Sequence, residues 1–208
     1  MKKFAGAALV LILGSSAFGL MVSADADGFS DGTDICTAFT GITLSSCGKY
    51  PELDGIVYAW GDGLASTGDS VFANSLPFQR QWAASNVDGF AFRADFDQPA
   101  DYVAIDIIGD DYSGDIGVLY AHNSDGSLLQ TVTSGTLGYG EVFTATISIG
   151  SFDIAYIIAG GSPSGGHAVH LDNLAANIVP EPATALLLGL AGLLLTKKHR
   201  MLMYKHRQ

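Results

Sequence analysis

The feature that most constrains the fold is a series of short segments, from residue 55 onward, in which apolar and polar residues alternate. In residues 89–96 three phenylalanines fall on one face, opposite Arg93 and Asp95, which is the period of a half-buried strand. Similar patterns occupy residues 55–60, 102–108, 116–121, 127–133, 141–149, 154–159 and 168–174. Eight such segments predict an all-β domain.

Turn signals rich in Gly, Asp, Asn and Ser separate these segments, and no stretch among them has a capped helical period. Residues 102–108 direct Val103, Ile105 and Ile107 to one side. Short strands at regular spacing favour an antiparallel β-sandwich. We therefore predict a sandwich domain over residues 55–176, preceded by an N-terminal segment, residues 25–54.

The N-terminus has the three-part build of a secretory signal peptide. Lys2 and Lys3 precede an apolar run from Phe4 to Val22, and small residues follow. We predict export through the Sec machinery and cleavage after Ala24, giving a signal peptide of residues 1–24, with Ala26 as the alternative site. An uncleaved membrane helix is the competing interpretation.

The C-terminus carries a second apolar run, from Ala183 to Thr196. Its fourteen residues contain no charge and would reach roughly 21 Å as a helix, short of the roughly 30 Å hydrocarbon core. The basic residues that follow, beginning with Lys197 and Lys198, favour a cytoplasmic C-terminus. The run therefore predicts a short transmembrane helix in the inner membrane, with the sandwich outside.

Immediately before this run stands the motif Val179-Pro180-Glu181-Pro182. Pro180 and Pro182 keep the preceding residues extended. The order of motif, short helix and basic tail resembles the PEP-CTERM sorting signal of Gram-negative bacteria, here residues 177–208. That resemblance implies recognition by the membrane enzyme exosortase and removal of the tail. An ordinary short C-terminal anchor is the alternative.

Charge is segregated along the chain. All 21 acidic residues lie from Asp25 to Glu181, where Lys49, Arg80 and Arg93 are the only basic ones, so this part carries a formal charge of −18. Such a surface repels nucleic acid and anionic lipid. We expect no nucleic-acid partner and a location in the cell envelope or extracellular matrix.

Cys36 and Cys47 are the only two cysteines and both lie in the part expected to be exported. In an oxidising compartment an isolated pair most simply forms a disulfide. We predict that bridge, with two free thiols as the alternative.

Several weaker motifs in the second half resemble the jelly-roll of galactose-binding-like domains. The segments are Phe96-Asp97-Gln98-Pro99, Val103-Ala104-Ile105-Asp106, Leu119-Tyr120-Ala121 and His170-Leu171-Asp172-Asn173-Leu174. The resemblance implies a sandwich of nine or ten strands with loops at one end available for ligands. Fold analogy does not itself establish sugar binding.

Motifs for catalysis are absent from the sequence. It contains no Gly-x-Ser-x-Gly elbow, metalloprotease helix motif or phosphate-binding loop. His170 and Asp172 share a face of the last predicted strand, but no candidate nucleophile accompanies them. We expect the protein not to be an enzyme and to need no cofactor, apart from the cation considered next.

An acidic loop offers a candidate calcium site. Asp110, Asp111 and Asp115 place three carboxylates within six residues, and hard oxygen ligands suit Ca²⁺. Asp106 or Asp172 could add a ligand. The spacing does not match an EF-hand, so a solvated acidic turn is the alternative.

Aromatic residues offer a candidate sugar site. Trp82 and Tyr112 fall in predicted loops, where flat rings can stack on sugar faces. Tyr58 and Trp60 share a strand face but serve equally well as core. We expect a non-enzymatic exported protein associated with exopolysaccharide; the alternative is a carbohydrate-binding module with structural Ca²⁺.

Overall fold

The computed structural model describes residues 19–77, 80–84, 89–110, 114–163 and 168–180. Eleven strands and no helix occur in these ranges. The strands are β1 Leu20–Ala24, β2 Thr33–Asp34, β3 Ile42–Gly48, β4 Tyr58–Gly61, β5 Ser70–Ala73, β6 Phe90–Gly109, β7 Gly117–His122, β8 Leu128–Thr133, β9 Val142–Ser148, β10 Ile154–Gly161 and β11 Val169–Ile178. Every pairing between them is antiparallel.

Strand β6 organises the larger sheet. Its first half pairs with β3 and β10, and its second half pairs with β11 and β9. The remaining strands extend these two groups, with β7 and β8 beyond β10 and β1 beyond β11. Strands β2, β4 and β5 form a separate three-stranded sheet.

The 20-residue length of β6 differs from the sequence prediction of two strands. Asp97, Gln98 and Pro99 interrupt the alternation and resemble a turn. In the structure they remain extended where β6 passes from one group of partners to the other. Pro99 has no backbone N–H to donate, but its carbonyl accepts a hydrogen bond from the Val179 amide at 3.1 Å.

One hydrophobic core joins both halves of β6. Phe92, Ala94 and Phe96 enter it from the first half, and Val103, Ile105 and Ile107 enter it from the second. These are the faces that the alternation predicts as buried. Within the core, Phe92 stacks with Phe72 at 4.9 Å and meets Trp82 edge-on at 5.5 Å between ring centroids.

A bulge in β11 changes which of its residues face the core. The register shifts between Asp172 and Ala175, so that Leu171 and Leu174 both enter the core. Asn173 takes up the extra length with a φ of 48°, a left-handed conformation that asparagine adopts more readily than most residues. The side chains of His170 and Asp172 therefore lie on the opposite surface of the sheet, where the β4–β5 loop covers Asp172.

The all-β antiparallel class is confirmed, and six predicted segments match β4 and β7 to β11 within a few residues. The sequence reasoning missed β1, β2, β3 and β5. The jelly-roll assignment stays a prediction. No helix among the described residues is long and apolar enough to cross a membrane. The run from Ala183 to Thr196 lies outside those residues.

Strand β1 bears on the predicted signal peptide. Leu20–Ala24 pairs with β11 along its whole length, so the boundary predicted at Ala24 falls at the end of a sheet strand. The first 18 residues lie outside the described part of the chain.

Candidate functional site

Polar and aromatic side chains lie together on the surface of strands β3, β6, β10, β7 and β8 that points away from the core. We call this surface the outer face. Ala94, Ile157 and Ala121 of these strands enter the core. Their alternating neighbours point away from it. Those neighbours are Arg93 and Asp95 of β6, Tyr156 and Ile158 of β10, and Tyr120 and His122 of β7.

Three planar side chains form a ridge across the outer face. The Arg93 guanidinium carbon lies 3.8 Å from the centroid of the Tyr156 ring. The His122 ring is stacked on Tyr156 with centroids 4.8 Å apart and planes inclined by 6°. Because β10 lies between β6 and β7, Arg93 and His122 cover opposite faces of the tyrosine. Cation–π contact and stacking therefore hold all three groups in place.

The guanidinium of Arg93 is fixed from a second direction by Asp95. Its Nε donates to Asp95 Oδ2 at 2.8 Å and its Nη2 donates to Asp95 Oδ1 at 2.5 Å. The hydrogen bonds to Asp95 raise the pKa of Arg93, against the effect of its partial burial. This bidentate ion pair fixes the orientation of the Arg93 guanidinium.

His122 has a defined tautomer when neutral. Its Nδ1 lies 3.1 Å from the Gly126 carbonyl oxygen, and because a carbonyl only accepts, Nδ1 carries the proton. The other nitrogen, Nε2, is then an acceptor. His122 is the last residue of β7.

Beside the ridge lies a cleft of about 410 Å³. Its walls combine apolar and polar groups from β3, β6, β7, β8 and β10. The lining residues are Cys47, Gly48, Lys49, Ala84, Gly89, Ala91, Tyr120, His122, Leu128 and Ile158. Tyr120, Ile158 and Ala91 give it an apolar surface, and Lys49 and His122 place nitrogen atoms at its sides.

This combination suits an amphipathic, uncharged or weakly anionic ligand. Apolar C–H groups can pack on Tyr120 and Ile158, while hydroxyl groups can bond to His122 and Lys49. Lys49 and Arg93 are two of the three basic residues in the acidic part of the chain. Their positive charges offset part of the negative charge at the outer face.

A separate polar cluster surrounds His170 of β11. His170 is 6% exposed, with Nδ1 3.6 Å from Asp62 Oδ2 and Nε2 3.7 Å from Asp110 Oδ2. Burial is the main cause that lowers its pKa, opposed by the charge of Asp62. Arg80 donates to the same Asp62 oxygen at 2.8 Å. His170, Asp62 and Asp110 are buried and the Arg80 side chain covers Asp62 from the partly exposed side, which favours a structural role.

Trp82 does not lie in a ligand-accessible loop, which corrects its assignment to a sugar site. Its side chain is completely buried, and its Nε1 donates to the Phe72 carbonyl at 2.9 Å. Its backbone also bonds to Val169 and Gly161. Tyr112, the other proposed sugar contact, lies outside the described residues.

Two of the three residues of the predicted calcium site, Asp110 and Asp115, belong to the described part of the chain. Asp111 lies outside the described residues. The Asp115 carboxylate accepts the backbone N–H of Asp110 at 2.8 Å, and Gln81 donates to the Asp110 carboxylate. Where the chain is described, no three His, Cys, Asp or Glu side chains are grouped to hold a metal ion. The site stays a prediction.

Cys36 and Cys47 do not form the predicted disulfide, and both are free thiols. The Cys36 carbonyl accepts from the amide of Leu44, three residues before Cys47 in β3. Cys36 packs against the main core, whereas Cys47 packs on the outer face beside Tyr120 and Ile158. The two side chains are therefore on opposite sides of the sheet, a relationship that their spacing does not reveal.

The sorting motif begins directly after β11. Val179 and Pro180 are partly exposed, and the Val179 amide donates to Pro99. Glu181 and Pro182 lie outside the described residues. No linker separates the last strand from the motif.

Sequence reasoning missed the outer face as a site, although it placed Arg93 and Asp95 on the polar side of their strand. Aromatic or basic residues at the polar positions of neighbouring strands are the signal that could have found it. Recognising that signal requires the strand order, because Tyr156 and His122 are distant in sequence and become neighbours only through β10 and β7.

No protein-family model matches the chain, and no curated protein matches its sequence. Among solved structures, it is similar to the catalytic domain of a GH87 α-1,3-glucanase in complex with tetrasaccharides, at 13% identity and a TM-score of 0.38. The match covers 68% of this chain but only 29% of the glucanase chain. It is also similar to TmCBM61 in complex with β-1,4-galactotriose, at 13% identity and a TM-score of 0.33, covering 67% of this chain and 86% of that one. A cleaved adhesin domain of Lys-gingipain gives 11% identity and a TM-score of 0.36, covering 76% and 88%. None of these likenesses is close enough to assign a ligand.

Proposed function

We propose that this protein is a non-enzymatic, exported surface protein that binds polysaccharide through the outer face. The observation that carries the binding part is the cleft of about 410 Å³ beside the Arg93–Tyr156–His122 ridge. It joins an aromatic surface to fixed polar groups, the combination that a sugar ring requires.

Pre-organisation supports binding at this place. Tyr156 is clamped on both faces, and Asp95 fixes Arg93. Side chains that are already ordered lose little conformational freedom when a ligand docks. A linear polysaccharide lying along the ridge would place one residue in the cleft, against Tyr120.

The test is retention of the purified protein by a panel of immobilised neutral and acidic polysaccharides, including a galactan, an α-glucan and alginate. Tyr120→Ala should weaken retention about tenfold, the loss of about 1.4 kcal/mol of binding free energy. Tyr120→Phe keeps the ring and should keep most of the binding, if packing against the sugar face dominates.

Tyr139→Ala is the matched control. Tyr139 is an exposed tyrosine, 52% accessible, outside the outer face, and its loss should leave retention unchanged. Equal losses in the Tyr120 and Tyr139 variants would contradict the assignment of the site. Absence of retention on every polysaccharide would contradict sugar binding itself.

The surface location is supported by the C-terminal sequence. Val179-Pro180-Glu181-Pro182 follows β11 at once, and the apolar run and basic tail come next. We propose that exosortase recognises this motif and removes the tail, which frees the sandwich for the envelope or matrix. The mass of the extracellular protein should then lack everything after about Pro182. Recovery there of an intact C-terminus ending at Gln208 would contradict the processing.

A further inference from the structure

Strand β1 is an integral part of the folded domain. Its register with β11 runs without a break from Leu20 opposite Ile178 to Ala24 opposite Leu174. Val22 and Ala24 are 9% and 1% exposed and belong to the hydrophobic core, as does Ala26 with no exposure. The core thus continues through residues that lie on both sides of the boundary predicted at Ala24.

Cleavage after Ala24 would remove this strand. β11 would keep its pairing with β6 on one side. On the other side it would lose its pairing with β1 from Leu174 to Ile178 and keep only the bridge between Val169 and Trp82. An unpaired strand edge promotes association with other chains. Val22, which lies opposite Ala176 in β11, would also be lost from the core.

The sequence before β1 contains a better-proportioned signal peptide. Lys2 and Lys3 are followed by eleven residues without charge, from Phe4 to Gly14, within the roughly 7–15 residues of a typical apolar region. An apolar region that continued to Val22 would have nineteen. Ser15-Ser16-Ala17-Phe18-Gly19 follows, with small residues at Ala17 and Gly19 in the A-x-A-like arrangement that signal peptidase selects.

We propose that signal peptidase hydrolyses the Gly19–Leu20 bond, so that the mature chain begins at Leu20 and retains β1. Water supplies the hydroxyl and the protons: Gly19 leaves with a carboxylate on the released peptide, and Leu20 keeps the new α-amino group. This rests on the export included in the proposed function. The cut then falls at the junction between the signal peptide and the first strand of the sheet.

This boundary also relates the two ends of the mature domain. Leu20 lies opposite Ile178, and Val179 and Pro180 follow that residue directly. Strand β1 therefore holds the strand that leads into the sorting motif. The sorting motif and the new N-terminus therefore lie at the same end of the β1–β11 strand pair.

The test is intact-mass analysis and N-terminal sequencing of the full chain, expressed in a Gram-negative host and recovered from the periplasmic and membrane fractions. An N-terminus at Leu20 is the expected result. A first residue at Asp25 or Asp27 would overturn the cleavage site while leaving export in place. An uncleaved chain in the membrane would also overturn it, and an uncleaved chain confined to the cytoplasm would overturn export as well.

A pair of substitutions before β1 tests the recognition residues. Ala17→Leu enlarges the residue at the third position before the cut and should reduce the Leu20-initiated product at least about fivefold. Phe18→Leu, at the intervening position, is the matched control and should be processed like the unmodified chain. Normal processing of Ala17→Leu would overturn the proposal.

Discussion

Asp106 and Asp172 lie directly opposite each other on β6 and β11 and accept hydrogen bonds from the same hydroxyl. Ser66 Oγ is 2.8 Å from Asp106 Oδ2 and 3.0 Å from Asp172 Oδ2. Asp172 also accepts the backbone N–H groups of Ser66 and Thr67, at 2.9 and 3.0 Å. Two buried carboxylates thus hold the loop between β4 and β5 on the sheet.

Ser66→Ala should destabilise the domain by about 1–3 kcal/mol, because the substitution removes a donor shared by two buried carboxylates and leaves their oxygens less satisfied. Chemical denaturation followed by tryptophan fluorescence measures the change. Ser151→Ala removes an exposed serine that bonds to Asp153 and should change the stability by less than about 0.5 kcal/mol. Equal stability of the two variants would show that the shared hydroxyl has no special role.

The carboxyl group of Asp172 should make its own contribution to the pH dependence of stability. Burial raises its pKa above the ordinary 3.8, although hydrogen bonds from Thr67 and Ser66 oppose the shift. The folded state therefore holds this proton more tightly than the unfolded state. Its contribution to stability increases as the pH falls through the raised folded pKa, and the increase is complete near 3.8.

Asp172→Asn removes that titration. The variant should be less stable than the unmodified protein at every pH, because its amide nitrogen replaces one of the two acceptor oxygens. The gap between the two proteins should widen as the pH is lowered toward the ordinary 3.8. A gap that stays constant or narrows as the pH approaches this value would contradict the raised pKa.

The titration of His170 should change the stability of the domain with pH in the opposite direction. Burial lowers its pKa below the ordinary 6.5, so the unfolded chain takes up a proton at a pH where the folded protein does not. Stability that is present above pH 6.5 is therefore lost as the pH falls from 6.5 toward the lower folded pKa. In His170→Asn this loss should disappear from unfolding curves measured on each side of pH 6.5, whatever the variant's overall stability. A loss of the same size in the variant would assign it to other groups.

The two cysteines should both be free. Unfolding in denaturant without reductant should expose two reactive thiols per chain in a thiol titration. In the folded protein alkylation should be slow, because burial raises the pKa of Cys36 to about 11 and also raises that of Cys47, and only the thiolate reacts. Absence of thiols until reductant is added would restore the disulfide predicted from the sequence.

Local alternation was sufficient to predict most of the sheet, since a strand with one buried face shows that face in its own sequence. The buried positions of Val103, Ile105 and Ile107 follow in this way. Strands β3 and β5 were missed for the same reason. Ser70–Ala73 is buried at every position, and Ile42–Gly48 carries serines on both of its faces, so neither alternates clearly.

The sites depended on long-range pairing and were predicted less well. Nothing in residues 80–84 marks Trp82 as buried, because its environment comes from Phe72, Phe92 and Val169. The pairing of Leu20–Ala24 could not be predicted either, because an apolar strand near the N-terminus has the same local pattern as an apolar leader until its partner is known. That partner is β11, at the other end of the domain.

Trp82→Ala separates the sequence-based assignment of this residue from the structural one. If Trp82 were a loop residue that stacks on a sugar, removing its ring would change the stability of the domain little and would weaken polysaccharide binding strongly. The completely buried ring instead fills the core against Phe92, and its Nε1 satisfies the Phe72 carbonyl. The substitution should therefore destabilise the domain by about 3–5 kcal/mol. Polysaccharide retention should be unchanged at temperatures where the variant is folded.

Tyr120→Ala should show the reverse pattern, with weaker retention and a smaller change in stability, since Tyr120 lies partly exposed in the cleft. Loss of retention in a folded Trp82→Ala variant, with Tyr120→Ala still binding, would return the site to Trp82.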